Sequence, residues 1–226
     1  MAGEKKRRGS ATIANPRPIT MASQPLKLII GDKSYSSWSL RAWLALKRSG
    51  LAFEEINIEL AGAGSDEMRE KIRTATGAGS GKVPALQHAG AGLGGATLVV
   101  WDSLAICEYV AELCTEMIVA GDDRRPDELS SPLWPGGTAV RGSDLRGRAV
   151  ARSVAAEMHS SFAALRNEMP MNVRKRGASV AGGPSAACVK DIARVAELWA
   201  ECRAAVDPCS CCSLISLSKS LLLIIQ

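Results

Sequence analysis

The sequence predicts two units of different class, an α/β unit over 26–116 and an incomplete all-α unit over 138–205. Three observations carry this. Short apolar or alternating runs interleave with helical segments in the first unit. A stretch rich in proline, charge and glycine, Asp122 to Gly137, marks the linker, which spans 117–137. Beyond it, apolar residues recur every three or four positions, as on one face of a helix.

The elements follow in order. Leu26-Lys27-Leu28-Ile29-Ile30-Gly31 reads as a short strand, and Trp38 to Lys47 as a helix. Phe53 to Leu60 alternates apolar and polar residues like a half-buried strand. A polar, Gly-rich segment with an irregular helix leads to Gly81-Lys82-Val83-Pro84-Ala85-Leu86, the entry to a third strand. The glycine–alanine run Ala89 to Ala96 reads as an insertion before a fourth strand, Thr97 to Trp101. A helix then starts at Asp102-Ser103. It carries Leu104, Cys107 and Ala111 on one side and Ile106, Val110 and Leu113 on another, the pattern of a helix buried between a sheet and a second unit. In the helical unit, Thr138 to Glu168 reads as one long helix with Val150, Val154, Met158, Phe162 and Leu165 on a face. Val189 to Arg203 reads as another, with Val189, Ile192, Ala196 and Trp199 as its stripe.

Composition bounds the function without choosing it. At 226 residues and 46% hydrophobic, the chain can bury a sizeable core. The net charge of +5 owes much to Lys5, Lys6, Arg7 and Arg8 and to Arg174-Lys175-Arg176. No aromatic residues interleave with these, so no nucleic-acid partner is expected. Residues 1–25 lack an apolar h-region and are not a secretory signal; they read as a flexible basic leader, an alternative start at Met21, or an organelle-targeting sequence. Of seven cysteines, four lie at or after Cys202. Cys209, Cys211 and Cys212 have no second pair or nearby histidine at zinc spacing, so no metal is expected. Disulfides are not expected without a secretory signal. The apolar run Ser220 to Ile225 is far short of the roughly 20 residues a membrane helix needs.

The richest motif is Ser34-Tyr35-Ser36-Ser37-Trp38-Ser39-Leu40-Arg41. A serine cluster at a strand-to-helix corner places hydroxyls beside backbone N–H groups and the positive end of a helix dipole, a site for an anion. Serines at that corner also serve simply as helix caps. Val83-Pro84 opens a strand, and proline there is compatible with an edge position. Asp102-Ser103 suits a carboxylate ligand at a helix N-terminus and equally an N-cap.

These three motifs, in this order and spacing, resemble the glutathione S-transferases, serine-type, near the zeta or maleylacetoacetate-isomerase group and its bacterial relatives. The resemblance runs from about Leu26 to Arg203. It implies a thioredoxin-like N-terminal domain, followed by the all-α transferase domain. It implies glutathione as ligand and an electrophilic small molecule as co-substrate, in a cytoplasmic, detoxifying enzyme that forms a homodimer. Ser36 aligns with the first serine of the zeta Ser-Ser-Cys pattern and is implied as the thiol-activating residue, with Ser37 as alternative. Trp38 stands where that pattern has cysteine, which counts against an isomerase. A cis peptide at Val83–Pro84 is implied, with Val83 pairing to the glutathione backbone and Lys82 near a glutathione carboxylate. Asp102 and Ser103 are implied at the γ-glutamyl end, and Met158, His159 and Phe162 face the substrate cleft with Trp38. From Ala205 onward the family pattern stops, and 206–226 reads as a Ser- and Leu-rich tail. The helical domain is therefore expected to be truncated, leaving Met158 and Trp199 short of packing partners. Three functions fit: a transferase, a non-catalytic interaction module of the same fold, and a glutathione-dependent isomerase.

Overall fold

A computed structural model of the chain describes residues 25–60, 64–119, 145–177 and 182–204. The basic leader, most of the linker and the tail fall outside these residues. Four strands, β1 (Leu26–Ile30), β2 (Phe53–Asn57), β3 (Ala85–His88) and β4 (Leu98–Trp101), form one sheet in the order β2-β1-β3-β4. β1 runs parallel to β2 and antiparallel to β3, and β3 pairs antiparallel with β4.

Alternation along β1 divides the core. Leu26, Leu28 and Ile30 point to one face, where they pack with Ala42 and Leu46 of α1 (Ser37–Ser49) and with Ile106, Val110 and Leu113 of α3 (Ser103–Val119). Ile29 points to the other face and packs with Ile58 and with Met68 and Ile72 of α2 (Asp66–Thr76). A central strand covered on both faces has to read as a nearly continuous apolar run, and LKLII does.

The expected irregular helix after β2 is a regular one. Ser65 caps α2 by accepting the Met68 N–H at 3.2 Å, and Gly77 ends it in the left-handed conformation at φ 70°. Asp66 and Glu67 sit in its first turn, where the dipole favours them. The run between β3 and β4 contains one 3-10 turn, Leu93–Gly95.

The helical unit departs from expectation twice. First, the long helix is broken: α4 (Leu145–Ser160) ends, Phe162 takes φ 68°, and α5 (Ala163–Glu168) follows. Arg166 Nε donates to the Ser161 carbonyl at 3.1 Å and its Nη2 donates to the Met158 carbonyl, so a side chain satisfies the ending helix. The turn keeps Phe162 buried with Val154, Met158 and Leu198. Second, α6 (Ala186–Ala204) turns a different stripe inward. Val195, Leu198 and Cys202 face α4, while Val189, Ile192 and Trp199 are 51%, 40% and 44% exposed. Among the described residues, none buries Trp199. Met158, expected to be short of packing partners, is instead buried in the helical cluster. Arg194 ties α6 to α4 through Glu157 at 2.8 Å.

Candidate active site at the start of the first helix

The corner between β1 and α1 is built by backbone accounting. Gly31 lets the Leu60 side chain approach the backbone closely, since a Cβ there would stand 2.5 Å from Leu60 Cδ1 and make that side chain move. Asp32 then makes an Asx-type turn: its Oδ1 accepts the Ser34 N–H at 2.7 Å, and its carbonyl accepts the Tyr35 and Ser36 N–H groups at 3.1 and 2.8 Å. The Ser34 N–H, helped by the nearby Arg174, holds the Asp32 carboxyl below the usual carboxylate range. Val173 N–H reaches the Ser34 carbonyl at 3.0 Å and Arg174 Nε reaches its hydroxyl at 3.1 Å, so the chain after α5 crosses this corner.

Ser36 is the N-cap of α1. Its Oγ accepts the Ser39 N–H at 3.3 Å and its hydroxyl donates to Ser39 Oγ at 3.0 Å. Ser39 Oγ also accepts the Gly31 N–H at 3.0 Å. Ser37 is the first helical residue, half-buried like Ser36. Beside Ser36 opens a cavity of about 540 Å³, lined by Asp32, Tyr35, Ser36 and the 57–60 segment after β2. The Val83–Pro84 bond is cis. Val83 packs with Ile58 and Leu60, two of the lining residues, and Pro84 is buried. Lys82 is exposed, its N–H 3.4 Å from Ser80 Oγ.

A second cluster gathers around Trp38. The guanidinium carbons of Arg41 and Arg166 lie 4.6 and 4.9 Å from its ring centroid, and His159 meets it edge-on at 5.2 Å. His159 Nε2 stands 3.3 Å from Asp102 Oδ2. Asp102, at φ 78°, caps α3: its Oδ1 accepts the Leu104 and Ala105 N–H groups at 2.8 and 3.4 Å. Such a conformation costs a non-glycine residue on the order of 1 kcal/mol or more, and it clusters at functional sites. Ser103, 1% exposed, has a hydroxyl with no partner among the described residues. Arg41 is 3% exposed, and its Nε and Nη2 have no hydrogen-bond partner among the described residues. Burial, with Arg166 adding to it, pushes the Arg41 guanidinium down to about 10, against the opposing pull of Cys107 and Asp102.

The implied residues therefore divide. Ser36 lines the cavity, and Val83 packs against its wall. Asp102, Ser103, Trp38 and His159 belong to or adjoin the cluster at the α1–α3–α4 junction. Met158 and Phe162 lie in the helical core, so packing accounts for both. Sequence reading gave no role to Ser39, Arg41 or Arg166, nor to the cavity-lining residues Asn57 to Leu60. Asp32 had a readable signal, an Asp two residues before Ser34 in a turn.

A mixed four-stranded sheet of this order, with a cis proline before β3 and helices on both faces, defines the thioredoxin-like class. Residues 35–113 match the family model described as "Glutathione S-transferase, N-terminal domain". Comparison with curated proteins gives no match. Among solved structures, Ure2p in complex with glutathione is 15% identical, covering 80% of this chain and 60% of its own, with a TM-score of 0.51. Glutathione transferase Omega 2S from Trametes versicolor, in complex with 2,4-dihydroxybenzophenone, is 17% identical over 88% of this chain and 68% of its own, TM-score 0.49. Maleylacetoacetate isomerase from Anaeromyxobacter dehalogenans 2CP-1, with bound dicarboxyethyl glutathione and citrate, is 22% identical over 90% and 86%, TM-score 0.45. At 15% identity the likeness to Ure2p is one of fold alone.

Proposed function

We propose that the chain is a glutathione S-transferase in which Ser36 holds the glutathione sulfur as a thiolate for attack on an electrophilic small molecule. The observation that carries this is the Ser36 hydroxyl, set at the N-terminus of a 13-residue helix and lining a cavity of about 540 Å³. Only the thiolate is an effective nucleophile. A hydroxyl donated to the sulfur and a helix dipole behind it both favour the charged form. Lowering a thiol pKa by two units needs roughly 2.7 kcal/mol of differential stabilisation. One charge-assisted hydrogen bond and a helix terminus supply an amount of that order. The thiol proton passes to solvent, a sulfur lone pair forms the new bond to the electrophilic carbon, and the bond from that carbon to its leaving group breaks, the group departing with the electron pair as an anion.

In this reading the Val83 backbone holds the cysteinyl part of glutathione, Lys82 meets a carboxylate, and Asp102 and Ser103 take the γ-glutamyl end. The unpartnered Ser103 hydroxyl supports the last assignment. Glutathione is a co-substrate here. The cytoplasmic location, the homodimer and the detoxifying role rest on the resemblance; among the described residues, no helix is long and apolar enough to cross a membrane. The stacked Trp38 in place of a cysteine speaks for a transferase over an isomerase.

Capture of the full chain on immobilised glutathione, followed by conjugation assays with an activated aryl chloride, tests the proposal. Capture with measurable turnover supports it. A chain that neither binds glutathione nor turns over refutes it, and binding without turnover leaves a non-catalytic module. Should Ser37→Ala abolish activity while Ser36→Ala does not, the donor is one residue further on.

A further inference from the structure

Ser39 is a costly residue where it stands. It lies in the first turn of α1, 0% exposed, and a buried hydroxyl is unfavourable unless it is bonded. It is bonded three ways: its Oγ accepts from Gly31 N–H and from the Ser36 hydroxyl, each at 3.0 Å, and its own N–H reaches Ser36 Oγ at 3.3 Å. The end of β1 and the first turn of α1 thus pin both oxygens. A hydroxyl offers one donor and two acceptor sites, and its hydrogen rotates to suit.

We propose that Ser39 is a positioning residue for Ser36, and that the two hydroxyls reverse direction when a thiolate enters the cavity. This rests on the reading of Ser36 as the thiol-activating donor. With no anion to attract its hydrogen, the Ser36 hydroxyl donates to Ser39 Oγ, 3.0 Å away. When the thiol has lost its proton to solvent, the negative sulfur draws the Ser36 hydrogen toward the cavity. Ser39 Oγ keeps the Gly31 N–H and loses the other donor, so it turns its own hydrogen to Ser36 Oγ. The chain then runs from Gly31 N–H through the Ser39 and Ser36 hydroxyls to the sulfur, each group donating to the next. No proton moves between oxygens and no bond to serine forms; two hydroxyl rotations suffice. Ser36 Oγ now accepts from both the N–H and the O–H of Ser39, which fills its acceptor sites and commits its hydrogen to the sulfur. Linked bonds of this kind strengthen one another by about 10–30%.

The test is the pKa of enzyme-bound glutathione, read from thiolate absorbance in the full chain, for wild type, Ser39→Ala, Ser36→Ala and the double variant. Ser39→Ala is expected to raise the thiol pKa by about half a unit, roughly a three-fold fall in the thiol's ionisation constant, with the thiolate recovered at alkaline pH. In the Ser36→Ala background the same change should leave the pKa unmoved, because Ser39 acts only through Ser36. Ser39→Thr, which keeps the hydroxyl, should restore the wild-type value. A purely structural serine would lower the unfolding temperature and leave the pKa alone. A depressed wild-type pKa that Ser39→Ala does not move, or that it moves equally in both backgrounds, overturns this inference alone. A wild-type protein on which glutathione titrates as it does in water overturns the parent reading and this inference with it.

Discussion

The sheet unit and the helical unit of this molecule bury their helices in opposite styles. In the sheet unit, Leu28, Ile29 and Ile30 have no exposed surface and are covered from both sides by α1, α3 and α2. In the helical unit, a cluster around Val154, Met158, Phe162 and Leu198 joins α4 to α6, and among the described residues nothing covers the opposite stripe of α6. A strand between two helical layers leaves its residues no alternative face. A helix packed on one side has several, and its neighbours choose. The candidate active site stands on the better-determined side, on a corner whose backbone groups are bonded to Asp32 and Ser39.

The largest expected effect separates the two cores. Leu28→Ala should cost about 2–5 kcal/mol, because the sheet, α1 and α3 together hold the cavity open. Leu198→Ala should fall at the low end of that range, since α6 can settle onto α4. Urea unfolding followed by circular dichroism measures both, and equal losses would show the helical cluster to be as rigid as the sheet core.

Acid is expected to weaken the sheet unit through His88. That imidazole is buried, pairs with the Tyr109 hydroxyl at 2.6 Å, and burial pushes its pKa below the ordinary 6.5. The folded state therefore binds fewer protons than the unfolded state at mildly acidic pH. Stability is fully present above the unfolded value and declines as pH falls below about 6.5. His88→Gln should flatten the stability profile between neutral and mildly acidic pH; an unchanged profile would remove His88 as the cause.

Smallest is the effect of the open stripe. Trp199→Glu should leave unfolding free energy within about 0.5 kcal/mol of wild type, as for an exposed position. It should still reduce self-association measured by light scattering, since it breaks an exposed apolar row. A large loss of stability instead would mean that Trp199 is covered in solution.

Element order and the serine corner were legible because each rests on local signals: the apolar run of β1, the cap at Ser36, and the prolyl entry to β3. The regular α2 was obscured by glycines around it, although Ser65 and Gly77 are ordinary caps. The break at Phe162 has no local signature, since a left-handed phenylalanine is held by its burial against α4 and α6. On α6, both Val189-Ile192-Ala196-Trp199 and Val195-Leu198-Cys202 have helical spacing, so only the tertiary partner decides which stripe turns inward. Arg41 and Arg166 meet over Trp38 from elements far apart in sequence. Their meeting could not be read from spacing.

The most direct test of the central claim is the thiol pKa of glutathione bound to wild type and to Ser36→Ala. The wild-type protein should hold the thiol about two units below its value in water, and Ser36→Ala should return most of that shift, with turnover at neutral pH falling by up to about 100-fold and glutathione affinity changing little. A thiol pKa that is depressed equally in both proteins would contradict the account, leaving Ser36 as a helix cap and nothing more.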